Sequence, residues 1–142
     1  MLIHQITFYL NKNMKKDRKI IKLDQDPFEL FAKWFLVATK NEINDPNAMN
    51  LSTVGSNLQP TSRIVLMKSF DKQGFVFNTN MKSNKSKDIE HNALVSLNFH
   101  WKSLNKQVRI EGKAIKLNKE EADRLFSSRP QGSKIGAWAS KQ

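Results

Sequence analysis

No cysteine occurs anywhere in the 142 residues. That excludes a disulfide framework, a cysteine-based zinc site and a thiol nucleophile, and it fits a reducing compartment. No apolar run approaches the roughly 20 residues needed to span a bilayer. The stretch from Met1 to Leu10 is largely apolar, but its lysines follow the apolar residues, the reverse of a secretory signal. A cytoplasmic protein is expected. Catalytic signatures are missing as well. His4, His91 and His100 show no HExxH or other metal spacing, and there is no GxSxG, P-loop or GxGxxG pattern. A nucleophilic hydrolase or a metalloenzyme is therefore not expected. Acidic residues are few: 13 Asp+Glu stand against 24 Lys+Arg, a formal charge of +11.

With 39% hydrophobic and 26% charged residues, the remaining composition is that of one globular domain, not a disordered chain. A basic excess favours anionic partners such as nucleic acid, anionic membranes or phosphorylated small molecules. Yet 19 of the bases are Lys and 14 residues are Asn. Both use A-rich codons, so much of the charge reads as compositional. What matters is where individual bases sit.

Residues 1–22 read as a basic tail, since 11–22 holds six bases against Asp17 without a clean period. A helix then starts clearly. Asp26 suits the N-cap, Pro27 the first helical position, and Glu29 completes a capping-box pattern. Phe28, Phe31, Trp34, Phe35 and Ala38 follow at helical spacing, as a core stripe would. The sequence around Asp45-Pro46 stops it.

From residue 48 the period becomes two. Strands are expected over 48–54, 61–69, 75–79, 93–101 and 107–117, with turns at Gly55 and Asp71–Gly74 and a short polar helix over 83–91. In the last strand Val108 and Ile110 share one parity while Ile115 and Leu117 take the other, so a bulge is expected at Gly112. Asn118 and Glu121 form a second capping-box pattern, opening a helix over 120–128 that Pro130 ends, and a weak helix over 132–140 closes the chain. Short strands at this spacing suggest an antiparallel barrel or sandwich.

Three basic clusters suit phosphate, because a dianion wants several charge-assisted donors. They are RIVLMK (63–68), TNMKSNK (79–85) and SSRPQGS (127–133). The second joins a strand to a helix start, where backbone amides attract anions.

Together with DPFELF (26–31), FVFNTN (75–80), NFHW (98–101), KQVRIEGKA (106–114) and GSKIGAWASKQ (132–142), these segments resemble the pyridoxamine 5′-phosphate oxidase family across roughly 24–142. The resemblance implies a mainly β fold with flanking helices, an FMN-binding split β-barrel of antiparallel Greek-key type. It divides the chain into a tail (1–22) and a split-barrel domain (23–142) that is incomplete at its C-terminus. It implies an enzyme that oxidises pyridoxamine or pyridoxine 5′-phosphate to pyridoxal 5′-phosphate, O2 becoming H2O2. FMN would lie at the interface of a homodimer, with no nucleic-acid or membrane partner.

The resemblance also assigns residues. The strand Arg63, Ile64, Val65, Leu66, Met67 and Lys68 would lie along FMN, with Arg63 on its phosphate and Lys68 also on the phosphate of the vitamin substrate. Asn78 and Thr79 match FMN contacts, Asn78 replacing a usual aromatic. Lys85 matches a ligand of the FMN phosphate, and Asn84 beside it stands where the family commonly has Arg. Gln107 matches a hydrogen bond to the flavin ring, and Gln142 a further FMN contact. Leu125, Arg129 and Ser133 fall at substrate-phosphate positions, Leu125 in place of a usual Tyr. The family's Trp and Arg on FMN, and its Arg-x-His pair over the substrate, belong to a segment past Gln142, so no catalytic residue is assigned. Two alternatives stay open: a flavin-binding protein without oxidase activity, and a basic nucleic-acid-binding barrel using aromatics near its strands.

Overall fold

The structure is a computed structural model that describes residues 2–3, 6–7, 25–117 and 120. Helix α1 spans Pro27–Asn41. Its N-cap is Asp26, as the sequence indicates: one carboxylate oxygen accepts from the backbone N–H of Phe28 at 2.8 Å and of Glu29 at 3.3 Å. Those bonds hold the Asp26 carboxyl below its ordinary pKa, with a smaller contribution from Lys72.

Two short strands precede the helix, β1 (Leu2–Ile3) and β2 (Ile6–Thr7). Five longer ones follow: β3 (Ala48–Val54), β4 (Pro60–Asp71), β5 (Gly74–Phe77), β6 (Leu94–Trp101) and β7 (Lys106–Lys113). Helix α2 (Asn84–His91) joins β5 to β6. The sheet is antiparallel with order β1-β5-β4-β3-β6-β7-β2. Leu2 pairs with Val76 on one outer edge and Ile6 with Ile110 on the other. Only three Cα steps separate Ile3 from Ile6, at most about 11 Å. The two edges therefore lie close, and the sheet is curled into a split barrel. Four residues of the segment read as a tail thus pair with the sheet.

One face of the long strands forms the core. Met49, Leu51, Val65, Met67, Leu97, Phe99, Trp101, Val108 and Ile110 alternate inward and are buried. α1 covers this face with Phe31, fully buried and edge-on to Phe70, Phe75 and Phe99 at centroid distances of 4.8, 4.9 and 5.2 Å. The aromatic stripe of α1 is core, as its spacing suggests. The indole N–H of Trp101 is satisfied by the carbonyl of Pro46 at 2.8 Å.

Several boundaries differ from the sequence reading. β4 runs longer, to Asp71, and β5 stops at Phe77 so that Asn78 and Thr79 lie in the following loop. β7 ends at Lys113, and its register with β6 is continuous through Val95↔Gly112. No bulge sits at Gly112; the parity of Ile115 and Leu117 changes because the strand has already ended. The irregularity lies elsewhere. Met67 pairs with Phe77 and Ser69 with Val76, which leaves Lys68 as the extra residue of a bulge between β4 and β5. The inward phase shifts there from Val65 and Met67 to Phe70, which reaches Phe31. The turn 102–105 is a 3-10 turn closed by Asn105 in the left-handed region, φ 49°, which Asn tolerates better than most residues. The helices expected over 120–128 and 132–140 lie, apart from Glu120, outside the described residues. Among the described residues no helix is long and apolar enough to cross a membrane.

Candidate functional site

The inward face of the β3–β4 hairpin changes character toward its turn. Leu51 faces Arg63 across the ladder, and Thr53 faces Thr61. These positions continue the phase of Met49, Val65 and Met67, yet they carry a guanidinium and two hydroxyls. Helix α2 covers them, burying Lys85, Ser86 and Ile89.

Arg63 is held by several bonds. Its Nη1 donates to the hydroxyl of Thr53 at 2.7 Å and to the carbonyl of Leu51 at 3.2 Å; its Nη2 donates to the hydroxyl of Thr61 at 2.6 Å. Each threonine in turn donates its single hydroxyl proton to Oδ2 of Asp88 on α2, at 2.7 Å from Thr53 and 3.1 Å from Thr61. The Arg63–Asp88 separation itself is 3.7 Å. Two hydroxyl relays therefore link the cation to the carboxylate. Burial lowers the pKa of Arg63, and Asp88 partly offsets that. Arginine stays charged at any ordinary pH all the same.

Lys85 is 9% exposed. Burial lowers its pKa, and the nearby Arg63 charge lowers it further. Two cations thus share one partly desolvated place, the environment a bound anion would relieve. The start of α2 adds to it. Ser83 is the N-cap residue but makes no side-chain cap bond; its hydroxyl donates instead to the carbonyl of Asn80 at 2.7 Å. Ser86 donates to the same carbonyl at 2.8 Å, and the Thr79 hydroxyl lies 3.4 Å from that of Ser83. The backbone carbonyl of Ser83 accepts from the Ser86 amide at 3.0 Å, and the N-terminus of α2 as a whole attracts negative charge.

The other expected site residues divide by face. Val65 and Met67 point into the core and are buried, so only their backbone could serve a ligand. Ile64 and Leu66 point outward, 66% and 36% exposed. Lys68 is exposed at the bulge. It borders a cleft of about 400 Å3 between α1 and β4, walled by Phe35, Pro46, Met67 and Phe70. Gln107 lies on the outer face of β7 and donates to Asn98 Oδ1 at 2.9 Å. The register Ile64↔Asn50↔Asn98 places that pair on the same outer surface as Ile64. Asn78 and Thr79 precede α2, and Asn84 is exposed in its first turn. Leu125, Arg129, Ser133 and Gln142 lie outside the described residues.

The structure thus brings Arg63 and Lys85 together, and separates them from the outward row of Ile64, Leu66, Lys68 and Gln107. Sequence reasoning missed Thr53, Thr61 and Asp88. A signal existed: Thr53 and Thr61 are polar residues in the buried phase of their strands, and Lys85 and Asp88 are three apart on one helix face.

A curled antiparallel sheet with a basic pair under a short helix defines a split β-barrel of the kind found in FMN-binding proteins. Two solved structures share it. One is PhzG from Burkholderia lata, in complex with tetrahydrophenazine-1-carboxylic acid: TM-score 0.80, 26% identity, covering 87% of this chain and 64% of that one. The other is a pyridoxamine 5′-phosphate oxidase-related, FMN-binding protein from Nostoc punctiforme: TM-score 0.67, 15% identity, covering 85% and 70%. The family model described as pyridoxamine 5′-phosphate oxidase matches residues 37–142. The chain is 50% identical over 133 residues to the pyridoxine/pyridoxamine 5′-phosphate oxidase of Bartonella quintana, covering 94% of this chain and 64% of the relative. It is 57% identical over 118 residues to that of Bartonella henselae, covering 83% and 57%. The chain belongs to the pyridoxamine 5′-phosphate oxidase family, and it spans about 57–64% of the length of these two curated relatives.

Proposed function

We propose that the protein binds FMN and acts in the oxidation of pyridoxamine or pyridoxine 5′-phosphate to pyridoxal 5′-phosphate, with O2 reduced to H2O2. The observation that carries this reading is the pair of partly desolvated cations, Arg63 and the buried Lys85, beside the N-terminus of α2. Both cations are desolvated and each raises the electrostatic cost of the other, so a phosphate that meets both recovers energy. With Nη1 committed to Thr53 and Leu51 and one N–H of Nη2 to Thr61, Arg63 turns its remaining N–H groups to the phosphate, and Lys85 adds a point charge. The Thr79 hydroxyl and the positive end of the α2 dipole add to the attraction.

Bound there, FMN would supply the two-electron redox chemistry. The chain's own residues bind and orient. Gln107, already donating to Asn98, offers an amide to the flavin ring. Lys68 at the bulge holds the phosphate of the substrate, and that remote contact positions the reacting carbon. Arg129 and Ser133 serve the same phosphate. The exposed apolar residues Ile64 and Leu66 mark the surface on which a second copy pairs, with the flavin between the two. The nucleic-acid alternative gains nothing from the aromatics: Phe75, Phe77 and Phe99 are fully buried and offer no stacking platform.

The test mixes purified protein with FMN and pyridoxine 5′-phosphate under air. Formation of pyridoxal 5′-phosphate with equal peroxide supports the reading. Flavin uptake without product would restrict it to flavin binding, and no uptake would overturn it.

A further inference from the structure

We propose that Asp88 is a positioning residue for the flavin phosphate: through Thr53 and Thr61 it fixes the orientation of the Arg63 guanidinium. The inference rests on the flavin reading and adds to it a residue that touches no ligand.

Three observations carry it. The first is the directionality of the bonds. A threonine hydroxyl has one proton. Both hydroxyls accept from Arg63, on different nitrogens, and both spend their proton on the same oxygen of Asp88. A carboxylate acts only as an acceptor when ionised, so Asp88 sets the direction of both relays. Without it the two hydroxyls, 3.1 Å apart, can turn toward each other, and Arg63 keeps only the backbone carbonyls of Leu51 and Thr61 as fixed partners. The second is the separation. At 3.7 Å, Asp88 is near enough to offset the desolvation of Arg63 without occupying its fork in a bidentate grip. The third is Gly55, at the turn end of β3. A Cβ at Gly55 would lie 2.7 Å from Oδ1 of Asp88, so any side chain there would push this carboxylate from its present position. The carboxylate also comes from the helix that carries Lys85, one turn earlier. One element therefore supplies a cation to the anion and the brace for the other cation.

A purely structural role, fastening α2 to the hairpin, would use the same bonds. The two roles differ in what they do to ligands. A fastening role affects the whole domain; a positioning role affects only the part of the ligand that Arg63 meets. FMN and riboflavin differ by that phosphate.

The experiment measures dissociation constants of FMN and riboflavin, by flavin fluorescence, for the full chain and for Asp88→Ala, Asp88→Asn and Thr61→Val. Losing the brace costs about one charge-assisted hydrogen bond, so Asp88→Ala is expected to weaken FMN about tenfold and riboflavin by less than about twofold. Asn keeps an acceptor oxygen for both hydroxyls, so Asp88→Asn should recover FMN binding to within about threefold of the parent. Thr61→Val sits at the exposed end of β4, removes one relay while leaving the Thr53–Asp88 bond, and should cost FMN roughly threefold, which keeps the test available if Asp88→Ala does not fold. Equal weakening of both flavins, or unchanged FMN affinity in Asp88→Ala and Thr61→Val, overturns the proposal while leaving the flavin reading intact. A parent chain that binds neither flavin overturns the flavin reading and this proposal with it.

Discussion

The two helices cover the same inward face of one sheet and meet opposite chemistry there. Under α1 the face is aromatic: Phe31 packs against Phe70, Phe75, Phe99 and Trp101. Under α2 it is a polar cluster of Thr53, Thr61, Arg63 and Asp88, with Lys85 at its border. Burial of the first kind stabilises roughly in proportion to the apolar area removed from water. Burial of the second kind is at best nearly neutral for stability, since desolvation of charges offsets their attraction. The difference separates packing from the polar site along one strand pair: residues on β4 from Val65 onward hold the barrel, and Arg63, two residues earlier, is the cation for which a role in anion binding is proposed.

Phe31→Ala should produce the largest effect. A fully buried ring is lost, and such truncations cost about 3–5 kcal/mol. Urea unfolding would measure it; a loss well under 1 kcal/mol would mean that α1 is not the cover of the core. Arg63→Ala should behave in the opposite way. FMN affinity should fall roughly 10- to 100-fold, with riboflavin affinity changing little, and the midpoint of unfolding should move less than for Phe31→Ala. Equal losses for both flavins would erase the contrast between the two regions.

Lys85→Met should divide stability from binding in a single variant. It removes a desolvated charge that Arg63 repels, so the apo protein should become more stable while FMN binding weakens. The pH dependence follows with its sign. The folded pKa of Lys85 lies below its ordinary 10.5. Between the two values the unfolded chain binds more protons, so the contribution of Lys85 to stability rises with pH across that interval and levels off above about 10.5. Met at this position removes that rise. Flavin-phosphate affinity runs the other way, falling as Lys85 loses its proton. The smallest expected effect is at Asp26, far from the polar cluster. Its folded pKa is lowered, so its stabilisation is present above about 3.8 and lost as pH falls through the folded value. Asp26→Asn keeps a capping side chain and should flatten the acid limb of the unfolding curve without altering flavin binding.

Local signals explain which parts were legible in the sequence. The N-cap at Asp26, the aromatic stripe of α1 and the alternation of β3, β4 and β6 each depend on neighbours within a few residues. Strand ends were less legible. Nothing in FVFNTN marks Phe77 as the last paired residue, and Gly112 looked like a bulge although the pairing there is regular. The real bulge at Lys68 was hidden because it depends on what β5 does opposite. The basic residues of the site came from family resemblance. Asp88, Thr53 and Thr61 did not, because their meaning arises only when a helix some 30 residues downstream of β3 lies across the hairpin.

A flavin phosphate received by the basic pair under α2 would make FMN and riboflavin bind unequally. Isothermal titration of the unaltered chain with FMN and with riboflavin tests it most directly. FMN should bind at least about tenfold tighter than riboflavin, the worth of one charge-assisted contact. Equal affinity for the two flavins, or binding of neither, would contradict it.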